Sequence, residues 1–253
     1  MREVLYGRQP VREALRARRR QVFTLLLARG VKPAGIVSEV LNLAKRADVP
    51  VQTVGRQELD KLGGEVNHQG LAAEVSAYPY VDLEALLAAA CQVEEAPFLL
   101  LLDHVQDPQN LGSLLRSAEA VGVHGVVIPQ RRAAGVTPAV VRASAGAAEQ
   151  IRVAQVTNLV RAMEVLKAKD VWLAGLEALP EAQLYTQPGL RGSLGIVVGS
   201  EGRGLARLVR ESCDFLIRLP MRGQVDSLNA GVAGAIALYE AHRQRTMGHE
   251  NPS

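Results

Sequence analysis

The sequence predicts an α/β protein with a large parallel sheet wound on both faces by helices, preceded by a smaller α/β unit. Three observations carry this. Continuous apolar runs of strand length recur after residue 96, as expected of strands buried on both faces of a parallel sheet. Helical stretches separate them, the alternation that builds a doubly wound sheet. Residues 77–96, with prolines, an acidic bias and one short helix, divide the chain like a linker, with the boundary near residue 78.

In the first segment RQPVREALRA reads as an amphipathic helix with Val11, Leu15 and Ala14 on one face. QVFTLLLA follows as a strand. AGIVSEVLNLAKRA is helical, with Ile36, Val40, Leu43 and Ala44 at helical spacing. VPVQTV and LAAEVSA are short strands. Between them RQELDKLGGEVNHQG forms a short helix ended by glycines, and the whole implies a compact sheet with flanking helices.

The second segment opens with the strand PFLLLLD. GVVI (125–128), VWLAGL (171–176), LGIVVG (194–199) and FLIRLP (215–220) are further strands. The helices between and after them are LGSLLRSAEAVG, TPAVVRASAGAA, TNLVRAMEVLKA, GLARLVRESC and SLNAGVAGAIALYEAHRQR. Ligands of such sheets bind at the carboxyl ends of the strands. The tail, 247–253, is expected to be flexible.

The chain has 253 residues, 48% of them apolar, enough for one large or two modest domains. No apolar run reaches the roughly 20 residues of a membrane helix, and the N-terminus carries no stretch suited to a signal peptide. A soluble, cytoplasmic protein is expected. Cys91 and Cys213 form no metal-ligand cluster, and both are expected as buried small hydrophobes. No metal is called for. The net charge is +3, but residues 1–76 carry 13 Lys and Arg against 8 Asp and Glu. Basic charge gathered at one end suits a polyanion partner, and it equally suits a solvated helix face.

Three loops bear chemistry. In DHVQDPQNLGSLLRSAEA, Asp107-Pro108 signals a turn and a helix starts near Asn110. Six residues separate Asn110 from Arg116, which puts them on roughly one side of the helix, with Ser113 and Ser117 nearby. Arg116 suits a phosphate through its planar fork; a surface arginine behind an asparagine cap is the alternative. In GSEGRG (199–204), glycines 199, 202 and 204 allow close backbone approach around Glu201. The spacing is neither the dinucleotide fingerprint nor a Walker A loop, and an ordinary turn remains open. In RLPMRGQVDSLNAGVAGA (218–235), Ser227 suits a helix cap, Asn229 falls in the first turn, and free N–H groups there suit a carboxylate. Gly231, Gly234 and Ala235 require another backbone close by, within the chain or in a second copy.

Taken together the loops resemble the SPOUT methyltransferases of the SpoU or TrmH branch. Asn110, Gly112, Arg116 and Ala118 match its N-x-G-x-x-x-R-x-A motif. Gly199, Glu201, Gly202 and Gly204 match its G-x-E-G-x-G turn; Leu219-Pro220-Met221 and Ser227-Leu228-Asn229 match its third motif. LYGRQPVREAL and NHQGLAAEV resemble the substrate-binding domain of the 23S ribosomal RNA guanosine-2′-O-methyltransferase (RlmB-like) group, itself similar to a ribosomal-protein fold.

The resemblance implies an RNA-binding domain over 1–76, a linker over 77–96 and a methyltransferase domain with a deep trefoil knot over 97–246. It implies S-adenosylmethionine held around Gly199, Leu219 and Leu228, with Ile217, Met221 and Ser227 as neighbours. The reaction implied is attack of a ribose 2′-oxygen of ribosomal RNA on the sulfonium methyl. Arg116 is the implied base; since a guanidinium normally stays charged, binding a phosphate and orienting the hydroxyl is the other role open to it. Asn110 and Glu201 would hold that geometry, while Ser227 and Asn229 support the third loop. A homodimer is implied, with Gly231, Gly234, Ala235 and Leu238 against a second copy. Transfer RNA is the alternative substrate, and a non-catalytic ribosomal-RNA-binding assembly factor the alternative class.

Overall fold

The structure is a computed structural model that describes residues 2–63 and 67–247. It divides into two compact units, Met1–Pro79 with Val136–Gln150, and Tyr80–Gly135 with Ile151–Ser253.

The first unit holds β1 (Arg2–Tyr6), α1 (Arg8–Ala17), β2 (Val22–Ala28), α2 (Ile36–Arg46), β3 (Val51–Val54), α3 (Arg56–Gly63) and β4 (Leu71–Ser76). The sheet order is β1-β4-β2-β3, with β4 antiparallel to both neighbours and β3 parallel to β2. Helix α1 buries Pro10, Val11, Ala14 and Leu15 and packs on α2. Its polar side reaches Glu39 of α2, with Arg16 Nη2 at 2.6 Å from Glu39 Oε1. The segment Val136–Gln150 is tied in through Arg20, whose side chain is fully buried. Arg20 donates to Glu149 Oε1 at 2.8 Å and to Glu3 Oε2 at 2.9 Å. Burial pushes the Glu149 carboxyl up, and Arg20 opposes this.

The second unit contains α4 (Leu83–Cys91), β5 (Phe98–Leu102), α5 (Pro108–Ala120) and β6 (Gly125–Pro129). After α6 (Pro138–Ala143), which belongs to the first unit, come β7 (Val153–Val156), α7 (Leu159–Lys167), β8 (Trp172–Leu176), β9 (Gln183–Leu184), β10 (Leu194–Val198), α8 (Arg207–Ser212), β11 (Phe215–Arg218) and α9 (Ala230–Met247). The seven strands form one parallel sheet in the order β7-β6-β5-β10-β8-β11-β9. Every residue of β5 is buried, because β6 and β10 flank it and helices cover both faces. Truncating one of its leucines to alanine would cost about 2–5 kcal/mol.

Several expectations need correction. Residues 77–96 are not a plain linker. Asp82 caps α4 by accepting from Ala85 N at 2.6 Å, and Leu86, Leu87 and Ala90 enter the core of the second unit. The acidic residues that suggested a linker, Glu84, Glu94 and Glu95, are solvent-facing. The small-residue stripe of α9 is covered within the chain. A Cβ on Gly234 would stand 2.4 Å from Leu114 Cδ2 of α5, and one on Gly231 3.2 Å from Ser113 Cβ. The outward row is Val232, Ile236 and Tyr239, 48%, 36% and 53% exposed. Cys91 is exposed, and Cys213 is partly buried with its thiol pushed up to about 12, by burial first and then by Asp214. Met247 closes α9, and the rest of the expected tail lies outside the described residues. Among the described residues no helix is long and apolar enough to cross a membrane.

Candidate active site

The site lies where the loops leave the carboxyl ends of β5, β8, β10 and β11. After β5 the chain passes Asp103 and His104 to Asp107, which caps α5 by accepting from Asn110 N at 2.9 Å. The cap is therefore Asp107, and the carboxamide of Asn110, a residue only 7% exposed, is released for other work.

After β10 the chain makes a tight turn closed by Ser200 N donating to Gly204 O at 3.2 Å and Gly204 N to Ser200 O at 3.0 Å. Two carboxylates from neighbouring strand ends hold its far side. Leu205 N donates to Glu177 Oε2 at 2.9 Å, and Ala206 N to Asp103 Oδ2 at 2.6 Å. The turn demands glycine for different reasons at its two ends. A Cβ on Gly199 would sit 2.2 Å from the Gly204 carbonyl carbon, while Gly204 has φ of 64° and would strike Glu177.

A carboxamide–carboxylate network joins the three loops. Asn110 Nδ2 donates to Glu201 Oε2 at 3.0 Å. Asn229 Nδ2 donates to Asn110 Oδ1 at 2.7 Å and lies 3.5 Å from Glu201 Oε2. Asn229 Oδ1 accepts from Gly231 N at 3.0 Å and Val232 N at 3.2 Å, so Asn229, not Ser227, caps α9. Those N–H groups are therefore already satisfied rather than free for a carboxylate.

Two clefts flank this network. The first, about 230 Å³, is lined by Gly199–Gly204, by Leu219, Met221 and Leu228, and by Glu177. The second, about 690 Å³, lies between the β5 loop and the other side of the same turn, and includes His104, Asn110, Arg132 and Glu201. His104 and Arg132 both hold φ of 57°, a conformation that non-glycine residues adopt rarely. His104 Nδ1 is hydrogen-bonded to Asp103 Oδ1.

Of the expected residues, Asn110, Glu201 and Asn229 meet, and Gly199, Leu219, Met221, Ser227 and Leu228 line the first cleft. Ile217 does not reach it: its side chain is fully buried in the sheet, and its carbonyl accepts from Glu177 N at 2.9 Å. Arg116 is exposed on α5, lines neither cleft, and its side chain makes no hydrogen bond or ion pair among the described residues. Glu177 and Asp103 escaped the sequence reading. Each is the first acidic residue past an apolar strand, at the sheet edge where ligands bind, and that was the available signal.

Residues 97–239 match the SpoU rRNA Methylase family. The chain belongs to this family. Residues 4–81 match a second family, described as RNA 2′-O ribose methyltransferase substrate binding. A Bacillus subtilis protein named for the TrmH family of tRNA/rRNA methyltransferases is 44% identical over 244 residues, 96% of each chain. The SpoU methyltransferase AviRb of Streptomyces viridochromogenes, solved with AdoMet, is 26% identical with a TM-score of 0.80, over 98% of this chain and 92% of its own. A solved RNA 2′-O ribose methyltransferase is 28% identical with a TM-score of 0.76, over 97% and 89%.

This SpoU methylase is thus an RNA 2′-O-methyltransferase that uses S-adenosylmethionine. The first cleft suits that cofactor chemically. Leu219, Met221 and Leu228 offer apolar walls for a flat adenine, the turns offer main-chain donors and acceptors, and Glu177 and Asp226 offer negative charge to a cationic group. Among the described residues no group of His, Cys, Asp and Glu is arranged to hold a metal ion.

Proposed function

We propose that this enzyme methylates a guanosine 2′-oxygen in 23S ribosomal RNA, in the cytoplasm, as the RlmB-like group does. The observation that carries the reading is the Asn110–Glu201–Asn229 network, which ties three loops together between two clefts. The substrate-binding match over residues 4–81, on a basic segment, supports an RNA substrate, and the description of the family matched over residues 97–239 supports ribosomal RNA, while relatives' names also mention transfer RNA. A non-catalytic assembly factor would have no use for a complete network beside a cleft suited to the cofactor.

S-adenosylmethionine supplies the methyl group as an electrophilic carbon on a sulfonium. Main-chain groups at Gly199, Leu219 and Leu228 hold it, with Met221 and Ser227 adjoining. Ile217 acts indirectly by fixing the end of β11. The target nucleotide enters through the second cleft and passes Glu201, so that its 2′-oxygen would meet the methyl carbon in line where the two clefts adjoin at this turn. Asn110 and Glu201 hold that turn in register, and Asn229 ties the third loop to both. Arg116 binds a phosphate and orients the 2′-hydroxyl, which asks less of a guanidinium than giving up its own proton.

Because Arg116 lies off both clefts of its own chain, it serves a second copy. The homodimer forms across the outward row Val232, Ile236 and Tyr239 rather than across the glycine stripe. The reading includes the family's trefoil knot: α9 returns from β11, past β8 and β10, to pack on α5.

Mapping 2′-O-methylation in ribosomal and transfer RNA, with and without the gene, tests the substrate. One guanosine mark in 23S ribosomal RNA should vanish. Loss of a transfer RNA mark alone would move the reading to that substrate. Intact marks everywhere, with no cofactor binding, would leave only the assembly factor.

A further inference from the structure

The first unit has a cleft of about 300 Å³ that the reaction above does not use. Its wall comes from segments far apart in sequence: the start of α1 at Arg8, the turn after β2 at Arg29–Val31, Arg56 at the start of α3, and Gln69-Gly70 before β4. The two N-terminal stretches singled out in the sequence, LYGRQPVREAL and NHQGLAAEV, thus meet at one opening.

Local structure explains why they meet. Gly70 has φ of 77°, and a Cβ there would stand 2.5 Å from Val31 Cγ2, so the turn after β2 can close on this position only if it is glycine. Ala28 N donates to Gly70 O at 2.9 Å. Gly70 N donates to His68 Nδ1 at 2.9 Å, and His68 Nε2 lies 2.9 Å from Asp60 Oδ1. Arg8 N donates to Gln69 Oε1 and Arg8 Nε to Gln69 O, each at 3.3 Å. The Arg8 terminal nitrogens make no hydrogen bond among the described residues.

The charge around this opening is one-sided. Arg8, Arg29 and Arg56 line it, and none is paired with a carboxylate among the described residues. Other arginines of the same unit are paired: Arg2 with Glu74, Arg12 with Glu13, Arg16 with Glu39, and Arg20 with Glu3 and Glu149. Three guanidinium groups around one concavity focus a positive potential into it. Helix α1, ten residues long and without a side-chain cap, adds the positive end of its dipole. The lining holds no aromatic ring on which a base could stack.

We propose that this cleft binds a phosphodiester of the substrate RNA backbone. It fixes the RNA's register on the enzyme and reads no base. The proposal rests on the RNA reading above and assigns it a second point of attachment, on the first unit.

The full-length protein with Arg29→Ala, Arg56→Ala and both together tests it. Both side chains are exposed and bond to nothing described, so unfolding midpoints should match the wild type. The probes are a 23S ribosomal RNA transcript, an unrelated single-stranded RNA and inorganic phosphate. Each lost arginine should lower the slope of log affinity against log salt by about 0.7–0.9. Affinity should fall for both RNAs alike, while cofactor affinity stays unchanged. Wild-type affinity and slope in the double variant would overturn the phosphodiester assignment and leave the enzyme's function untouched. Phosphate that protects the cleft arginines from modification without displacing RNA would overturn it in favour of a small-anion site. A wild-type protein that binds cofactor but neither RNA would sink the RNA reading, and this proposal with it.

Discussion

Gly199→Ala probes whether the turn after β10 is as tightly determined as its geometry implies. The added Cβ would lie 2.2 Å from the Gly204 carbonyl carbon and 2.6 Å from Leu205 N, all main-chain atoms with no side chain to swing aside. Reaching ordinary carbon contact near 3.5 Å requires the turn to retreat by roughly 1 Å. That breaks the Ser200–Gly204 pair and stretches the bonds from Leu205 N to Glu177 and Ala206 N to Asp103. A bond to a charged acceptor is worth about 1.5–3 kcal/mol, and overpacking costs about 1–3 kcal/mol. With one anchor lost, the variant should be destabilised by about 2.5–6 kcal/mol and still fold. The same movement deforms the first cleft, so S-adenosylmethionine should bind at least about tenfold more weakly. Gly202→Ala is the control. Its Cβ meets nothing within 4 Å, so only the φ of 77° is penalised, at about 1–2 kcal/mol. Urea unfolding and titration calorimetry read both quantities. A Gly199→Ala protein with wild-type midpoint and wild-type cofactor affinity would refute the reasoning.

Arg116→Lys should abolish most methyl transfer and leave cofactor binding intact, because a point charge cannot replace a planar fork; near-normal turnover would remove Arg116 from the reaction. Mixing that variant with Gly199→Ala should restore part of the activity if Arg116 serves a second copy, and no recovery would confine its action to its own chain. Tyr239→Asp, on the exposed row of α9, should yield monomers in sedimentation experiments, whereas an unchanged dimer would exclude that face. At pH 8 iodoacetamide should label Cys91 and spare Cys213, whose thiol, raised to about 12, is deprotonated in roughly one molecule in ten thousand. Equal labelling of the two in folded protein would contradict that burial.

Much of the fold was legible because periodicity and burial agree. The amphipathic pattern of RQPVREALRA returns as α1 over the same ten residues, and FLLLL is buried throughout because it is central in its sheet. The strands that escaped notice, β1, β7 and β9, are short and lie at sheet edges, where one side lacks a partner and continuous apolar sequence is unnecessary. Helix α4 matches the short helix expected within 77–96, but the acidic and proline flanks suggest a linker because they outweigh three buried positions on nine residues. In the site, residue types were legible but their directions were not. Six residues advance an α-helix by about 600°, which separates Asn110 from Arg116 by roughly a third of a turn, and one is buried while the other is exposed. The glycine stripe signalled a close backbone, but α5 and a second copy predict the same stripe.

Nor could sequence reveal that one turn serves two clefts. Gly199–Gly204 forms the wall of the first cleft with one side and of the second with the other, and Glu201 lines both. Asp103 and Glu177 clamp its far end, while Asn110 and Asn229 hold Glu201 at its tip. The turn can therefore shift only as a unit, and a shift that enlarges one cleft reshapes the other. Two ligands that share a movable wall are thermodynamically linked, and the linkage is reciprocal. On the proposed occupancy of the two clefts, the factor by which the cofactor changes affinity for RNA must equal the factor by which RNA changes affinity for the cofactor. The four clamping side chains oppose that movement, so removing one of them should change the coupling between the two ligands.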